Sequence, residues 1–277
     1  ARASKLNVDG NVARGLLAYS YLNKAVPSLP SGKGDYTKAL KYAKEVIEKN
    51  DFKVIPNDDV LTTGFNDLSN ESWMWGQDVT TETRGGLASF FGQVDIHSYS
   101  YAWAGDTKAI DENLYKEIPD FDIRKKWFND GSKNASFKYC PDGKFFSAKN
   151  PTSTADADID REWLSDNVFM RIESMHLIAA EASYRLQDYT GAIDYLRAIT
   201  DQRVDTTAAA ATAYADYVAG LNSGNLLAQI EYNWRVEMWG EGYALQTFRR
   251  LSPETVTEIN GRKRGGNHAA DAGSAMD

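Results

Sequence analysis

One short phrase occurs twice, far apart. It reads Asp35-Tyr36-Thr37-Lys38-Ala39 and then Asp188-Tyr189-Thr190-Gly191-Ala192. Each copy follows an Ala- and Tyr-rich stretch and opens another stretch with helical spacing. A helix–turn–helix unit of this kind cannot bury its apolar face alone and must pack against further elements. The phrase therefore commits much of the chain to a mainly α scaffold.

Periodicity supports this reading. Asn7 or Asp9 is placed to cap a first helix, in which Val12, Leu16, Tyr19 and Leu22 step by four and three. A loop rich in Pro, Ser and Gly follows from Pro27 to Gly34. Asp35 is then placed to cap a helix lined by Ala39, Leu40, Ala43, Val46 and Ile47. In the second unit Val168, Ile172, Met175, Ala179, Ala182 and Leu186 form a stripe narrow enough for a seam. Small residues at Ala179, Ala180 and Ala182 admit a close neighbour. Asp188 restarts the chain, with Ala192, Leu196 and Ile199 facing inward. A further helix runs from Leu226 through Ile230, Trp234 and Met238. It leads into Trp239-Gly240-Glu241-Gly242-Tyr243 and a basic ending, with Pro253 as a stop.

The expected fold is mainly α, built of tetratricopeptide-like helical hairpins. The copies are not tandem: Asp35 recurs 153 residues on and Ser20-Tyr21 recurs 163 residues on, whereas an array would repeat every ~34. The spacing predicts one domain over 1–277, with a hairpin at 7–50, an irregular insertion at 51–165, a hairpin at 166–203 and a C-terminal helix at 224–252. The opening Ala1-Arg2-Ala3-Ser4 already sits in a helix-like pattern, so the expectation is a fragment of a longer protein.

Composition narrows the function classes. With a net charge of −8 and a pI near 5.1, no basic patch dominates, and nucleic acid is not an expected partner. The brief run Arg262-Lys263-Arg264 reads as a solvated loop. Cys140 is the only cysteine and is expected to be inert. No stretch approaches the ~18 apolar residues of a membrane helix. His97, His176 and His268 lack metal spacing. Asp156-Ala157-Asp158-Ile159-Asp160 resembles the start of a calcium loop. Arg161 and Asn167 stand where such a loop wants Gly and Glu, so neither a metal nor any cofactor is expected.

The insertion is the place for a site, since function is commonly carried by irregular segments on a rigid scaffold. It is rich in aromatics. Ser72-Trp73-Met74-Trp75-Gly76 reads as a short strand. Tyr99-Ser100-Tyr101-Ala102-Trp103 alternates large and small residues, so in extended form its three aromatics share one face. An aromatic plane beside carboxylates or amides suits a sugar, with its apolar face and rim of hydroxyls. Tyr99, Tyr101, Trp103 and Asp106 make one such set. Trp73 and Trp75, flanked by Asn70, Glu71 and Gln77, make another.

Three segments resemble the SusD/RagB family of surface nutrient-binding lipoproteins of Bacteroidetes-type bacteria. The first is Ala13-Arg14-Gly15-Leu16-Leu17-Ala18-Tyr19 with its partner helix from Asp35 to Ile47. The second and most specific is Met170-Arg171-Ile172-Glu173 through Ala179-Ala180-Glu181-Ala182. The third is Trp234-Arg235 with Glu237, Glu241-Gly242 and Arg249-Arg250. Ser174, His176, Ala244 and Thr247 depart from the family pattern. The resemblance implies a SusD-like α-α superhelix, a lipid anchor to the outer membrane through an N-terminal cysteine not present in this chain, and a SusC-like TonB-dependent transporter as partner. It implies capture of glycans or, in some branches, peptides, without catalysis. The motif residues read as structural: Arg171 with Glu181 or Glu241 is an expected buried pair. Asp122 with Arg124 matches a recurrent family element, and Asp120 and Asp122 can cap the helix that follows them.

The leading expectation is non-catalytic binding of an oligosaccharide for delivery to such a transporter. The alternatives are a helical-repeat scaffold for a protein or peptide, and a glycoside hydrolase, which needs two carboxylates about 5–9 Å apart across a cleft.

Overall fold

The computed structural model describes residues 4–132, 134–145 and 163–255. In chain order the helices are α1 (Gly10–Lys24), α2 (Gly32–Ile47), α3 (Phe90–Val94), α4 (Glu112–Glu117), α5 (Ile172–Arg185), α6 (Tyr189–Thr200), α7 (Ala208–Ala219), α8 (Leu226–Glu237) and α9 (Ala244–Thr255). Two strands, β1 (Trp73–Gln77) and β2 (Asn167–Arg171), complete the regular structure. The fold is helical, with two antiparallel hairpins, α1–α2 and α5–α6, packed side by side through α2 and α5. No described helix is long and apolar enough to cross a membrane.

The cap of α1 is Asp9, whose carboxylate accepts from the N–H groups of Asn11 and Val12. The helix buries Val12, Gly15, Ala18 and Leu22 and leaves Leu16 exposed. The inner face is thus turned from the expected one toward its small residues, which let the neighbouring helices come close.

The repeated phrase plays two different parts. In the second unit Asp188 caps α6, its Oδ1 accepting from Gly191 N–H at 2.9 Å. In the first unit α2 begins at Gly32, so Asp35 lies inside the first turn, buried, and takes Lys24 Nζ at 3.0 Å. The fourth residue of the phrase marks the difference. A Cβ at Gly191 would lie 2.3 Å from Asp188 Oδ2, and the first copy carries Lys38 at that place.

The segment from Asn167 to Arg171 is strand, not helix. It pairs antiparallel with β1, Trp73 opposite Arg171 and Gln77 opposite Asn167. Val168 therefore stands outside the stripe, and α5 starts at Ile172. From Ile172 to Ser183 all but His176 are buried, so α5 is a central helix covered on every side instead of a seam. The C-terminal stretch is two helices separated by a turn through Gly240 and Gly242, and α9 runs through Pro253.

Two apolar clusters result. One joins α1, α2, α5, α6 and α8 through residues such as Leu22, Val46, Ile178 and Trp234. The other lies under the irregular lobe and is built of Phe65, Phe91, Trp127, Phe128, Phe145, Trp163 and neighbours. The buried tryptophans explain much of the aromatic content. Trp73, Trp127, Trp163 and Trp234 are essentially inaccessible, and each indole N–H donates to a named acceptor: Gly64 O, Val60 O, Ser98 Oγ and Glu181 Oε2. A buried indole without such a partner would be costly. Cys140 is also buried, and burial raises its thiol to about 11.

Candidate functional site

The segment carrying Tyr99, Tyr101 and Trp103 is a tight turn, which corrects the expected extended form. Its frame is the buried Asp95. The Asp95 carboxylate accepts from His97 N–H at 3.0 Å and from the Ser98 hydroxyl at 2.5 Å, and its carbonyl accepts from the Ser100 hydroxyl. Ser98 Oγ in turn accepts the Trp163 indole N–H at 2.8 Å. Ser100 Oγ accepts from Trp103 N–H at 3.0 Å. The backbone closes on itself as Ala104 N–H reaches Ser100 O and Asp106 N–H reaches Tyr101 O. Gly105 completes the turn at φ +112°, a conformation a side chain would oppose.

This geometry pairs the aromatics differently from an extended chain. Tyr99 and Trp103, four residues apart, meet with ring centroids at 5.0 Å and planes at 52°. Residues two apart in such a turn do not face one another, so Tyr101 is presented separately. Tyr101 is 46% exposed and Trp103 38%, while Ala102 between them is fully buried and anchors the turn on Ile96 and Cys140. Asp106 is exposed and Lys108 Nζ sits 2.5 Å from its Oδ2. The result is a raised aromatic surface with a carboxylate and an ammonium at its edge.

A histidine–carboxylate contact pins this turn to the neighbouring segment. His97 Nε2 lies 2.9 Å from Asp142 Oδ1. Burial alone would lower the imidazole pKa, but Asp142 and the buried Asp95 outweigh it and hold it above the ordinary value.

The second expected set separates. Trp73 is fully buried with its indole committed to Gly64, so it is a core residue and has no face for a ligand. Trp75, on the helical side, is partly buried and meets Phe169 edge to face at 5.1 Å. Asn70 Oδ1 accepts from Ser72 N–H, Gln77 Oε1 accepts from Asn167 Nδ2, and Glu71 pairs with Lys53. Phe169, 47% exposed, has no counterpart among the expected site residues. Val168, Phe169 and Met170 are all apolar, so no alternation marks Phe169 in the sequence; only the strand geometry turns it outward, opposite the buried Met170.

Beneath the surface lies a set of buried charges that the sequence shows only in pairs. Glu237 on α8 accepts from three guanidinium groups: Arg171 Nη1 at 2.8 Å, Arg203 Nη2 at 2.8 Å and Arg124 Nη1 at 3.1 Å. Arg171 also holds Glu241 at 2.8 Å and Glu173 at 3.1 Å, and Lys144 Nζ reaches Glu241 at 2.8 Å. Arg124 is clamped by Asp122 at 2.6 Å. Of the two partners expected for Arg171, the structure selects Glu241; Glu181 instead takes Arg250 and the Trp234 indole. Asp122 does cap its turn, accepting from Arg124 N–H.

Four cations thus meet four carboxylates where β2, α5, α8 and the irregular lobe converge. Burial would raise the Glu237 carboxyl pKa, but Arg203, Arg171 and Arg124 hold it well below the ordinary range. Lys144 is lowered to about 8 by burial, with Arg171 adding to the effect. Each cation is paired with at least one carboxylate of the set, although Glu173 Oε2 makes no hydrogen bond, so the network joins β2, α5, α8 and the irregular lobe.

Among the described residues no group of three or more His, Cys, Asp or Glu could hold a metal ion. The Asp156–Asp160 segment lies outside the described residues, as do Arg262–Arg264 and His268.

A family model described as the SusD family matches residues 71–274. Several solved structures share the fold. A SusD-like carbohydrate binding protein from Bacteroides vulgatus is 22% identical at a TM-score of 0.59, over 90% of this chain and 47% of its own. A SusD superfamily protein from Bacteroides thetaiotaomicron is 20% identical at a TM-score of 0.63, over 87% and 49%. NanU from B. fragilis is 15% identical at a TM-score of 0.61, over 90% and 57%. The chain spans about half the length of these structures. No curated protein matches significantly.

Proposed function

From the premise that this chain belongs to the SusD family, we propose that it binds glycans at a cell surface without cleaving them. The observation that carries this reading is the turn holding Tyr99, Tyr101, Trp103 and Asp106. Two of its aromatic rings are exposed, a carboxylate stands beside them, and the backbone beneath is fixed by buried hydrogen bonds. A sugar ring stacks by its apolar face on such a surface and gives its hydroxyls to the polar edge. A surface set in advance loses little conformational entropy on binding. The similarity to a solved SusD-like carbohydrate binding protein supports the same ligand class. The buried carboxylates Glu173, Glu237 and Glu241 are engaged by guanidinium and ammonium groups, which suits a non-catalytic role.

In the full reading, the bound oligosaccharide is passed to a SusC-like TonB-dependent transporter. The protein is held at the outer membrane by a lipid on an N-terminal cysteine not present in this chain. Trp75 and Phe169 form a second, separate aromatic pair that a longer glycan can use. Trp73 takes no part.

Calorimetry against a panel of soluble oligosaccharides tests the site. At least one is expected to bind and to remain intact, and Trp103→Ala is expected to weaken it roughly tenfold. Release of new reducing ends overturns the non-catalytic reading. Unchanged affinity in Trp103→Ala removes this turn as the site. A melting shift with short peptides but with no glycan replaces the reading with a peptide-binding scaffold.

A further inference from the structure

A cavity lies on another part of the molecule, between α7, α8 and the segment 117–124. It has a volume of about 340 Å³, at the small end of the range of about 300–1,000 Å³ usual for ligand sites. Its origin is visible in the sequence of α7, Ala-Ala-Ala-Ala-Thr-Ala-Tyr-Ala-Asp-Tyr-Val-Ala. Of its twelve residues only Ala210 is buried. The helix leans on the body through Tyr214 and Tyr217, and the alanines along the rest of it are too short to fill the space these two rings hold open.

The walls are aromatic. Tyr214 and Tyr217 stack at 5.9 Å and 26°, and Phe121 meets them at 5.7 and 5.6 Å. Tyr232 closes the side toward α8. The hydroxyl groups of Tyr214 and Tyr232 are fixed, whereas Tyr217 Oη makes no hydrogen bond. Tyr214 donates to Asp201 at 2.6 Å and shares a bond of 2.7 Å with Thr200, and Tyr232 donates to Asp122 at 3.2 Å. Those two rings therefore keep their orientation without a guest. Polar groups stand among them, with the Gln229 amide and the Glu117 carboxylate on the lining and Ala228 at its exposed part.

Charge selects the guest. Arg124 and Arg203 reach the lining, but Asp122, Glu173 and Glu237 neutralise them, so no free cationic charge remains for an anion. The Arg124 guanidinium already lies 5.8 Å from the Tyr232 ring centre, which disfavours a cation on that face. Aromatic faces with amide and hydroxyl edges suit a ring that is apolar on one side and hydroxylated at its rim. We propose that this cavity is a second ligand site, taking one neutral, hydroxyl-rich ring such as a single monosaccharide unit.

The test uses protein with 13C-labelled tyrosine rings, titrated with D-glucose, D-galactose and D-mannose. The Tyr217 and Tyr232 resonances, assigned through Tyr217→Phe and Tyr232→Phe, are expected to shift saturably with one of the three. Ala228→Trp changes an exposed helix position and fills the cavity mouth. It is expected to weaken the response roughly tenfold or more, while Trp103→Ala leaves it unchanged. No shift of these resonances with any of the three sugars overturns the proposal, as does a response that survives Ala228→Trp. Tighter binding of glucuronate or choline than of the neutral sugars overturns the assigned ligand class. Loss of the response in Trp103→Ala transfers it to the other surface.

Discussion

At the scale of single residues, Glu237 carries the most consequence. Three guanidinium groups converge on it in a region from which water is excluded. Removing one partner of a buried charge set leaves the others unpaired, at a cost of about 3–5 kcal/mol. Glu237→Gln is expected to destabilise by that amount in equilibrium urea unfolding. Glu71→Gln breaks an exposed pair with Lys53 and is expected to change stability by less than about 0.5 kcal/mol. Similar losses in both variants would refute the hub. That Arg171 needs a buried acidic partner was legible, but the sequence left Glu181 and Glu241 open, and the structure selects Glu241. The convergence of Arg124 and Arg203 was not legible, because neither local spacing nor composition records which distant segments meet. The same limit separated Trp73 from Trp103. Both are aromatics in an irregular insertion, and only the packing around them decides which one solvent reaches.

At the scale of elements, the repeated phrase shows how one residue alters a start signal. The Asp188 cap is expected to contribute about 1 kcal/mol, so Asp188→Ala should lower stability by that much in thermal melts. Gly191→Ala pushes the capping carboxylate aside, given the 2.3 Å approach, but it gains about 1 kcal/mol of helix propensity. The two effects are expected to cancel in the natural background. With Asp188 already replaced, Gly191→Ala is expected to stabilise, and equal effects in both backgrounds would refute the clash. Helices α1, α2, α5, α6 and α8 were legible from their apolar spacing. Helix α7 was missed because its run of alanines has no apolar stripe, although Thr207 caps it in the usual way. β2 was read as helix because Val168 continues the four-residue step of α5 by coincidence.

At the scale of the whole molecule, protonation couples the parts. Burial lowers the His176 imidazole to about 4. The unfolded chain then takes up that proton first as pH falls below 6.5, so this contribution is lost between 6.5 and about 4. Glu237 and Glu241 have folded values below 4.5 because of their cationic partners, so their contribution is complete above 4.5 and lost as pH falls through the folded values. His97 acts oppositely, since its raised value adds stability that is lost as pH rises through it. The melting temperature is expected to fall on acidification from pH 6.5. His176→Gln is expected to shrink the loss between pH 6.5 and 4 by at most about 3 kcal/mol. An identical acid slope in the variant would show that His176 takes no part.

The convergence on Glu237 also bears on how such a chain can change over generations. A carboxylate answering to three arginines from separate segments makes each of those positions hostage to the others. A substitution at one is tolerated only after a compensating one elsewhere. The aromatic turn is held by its own bonds to Asp95, Ser98 and Ser100 and is not part of that network. Its exposed rings can vary one at a time while the buried charges stay as they are.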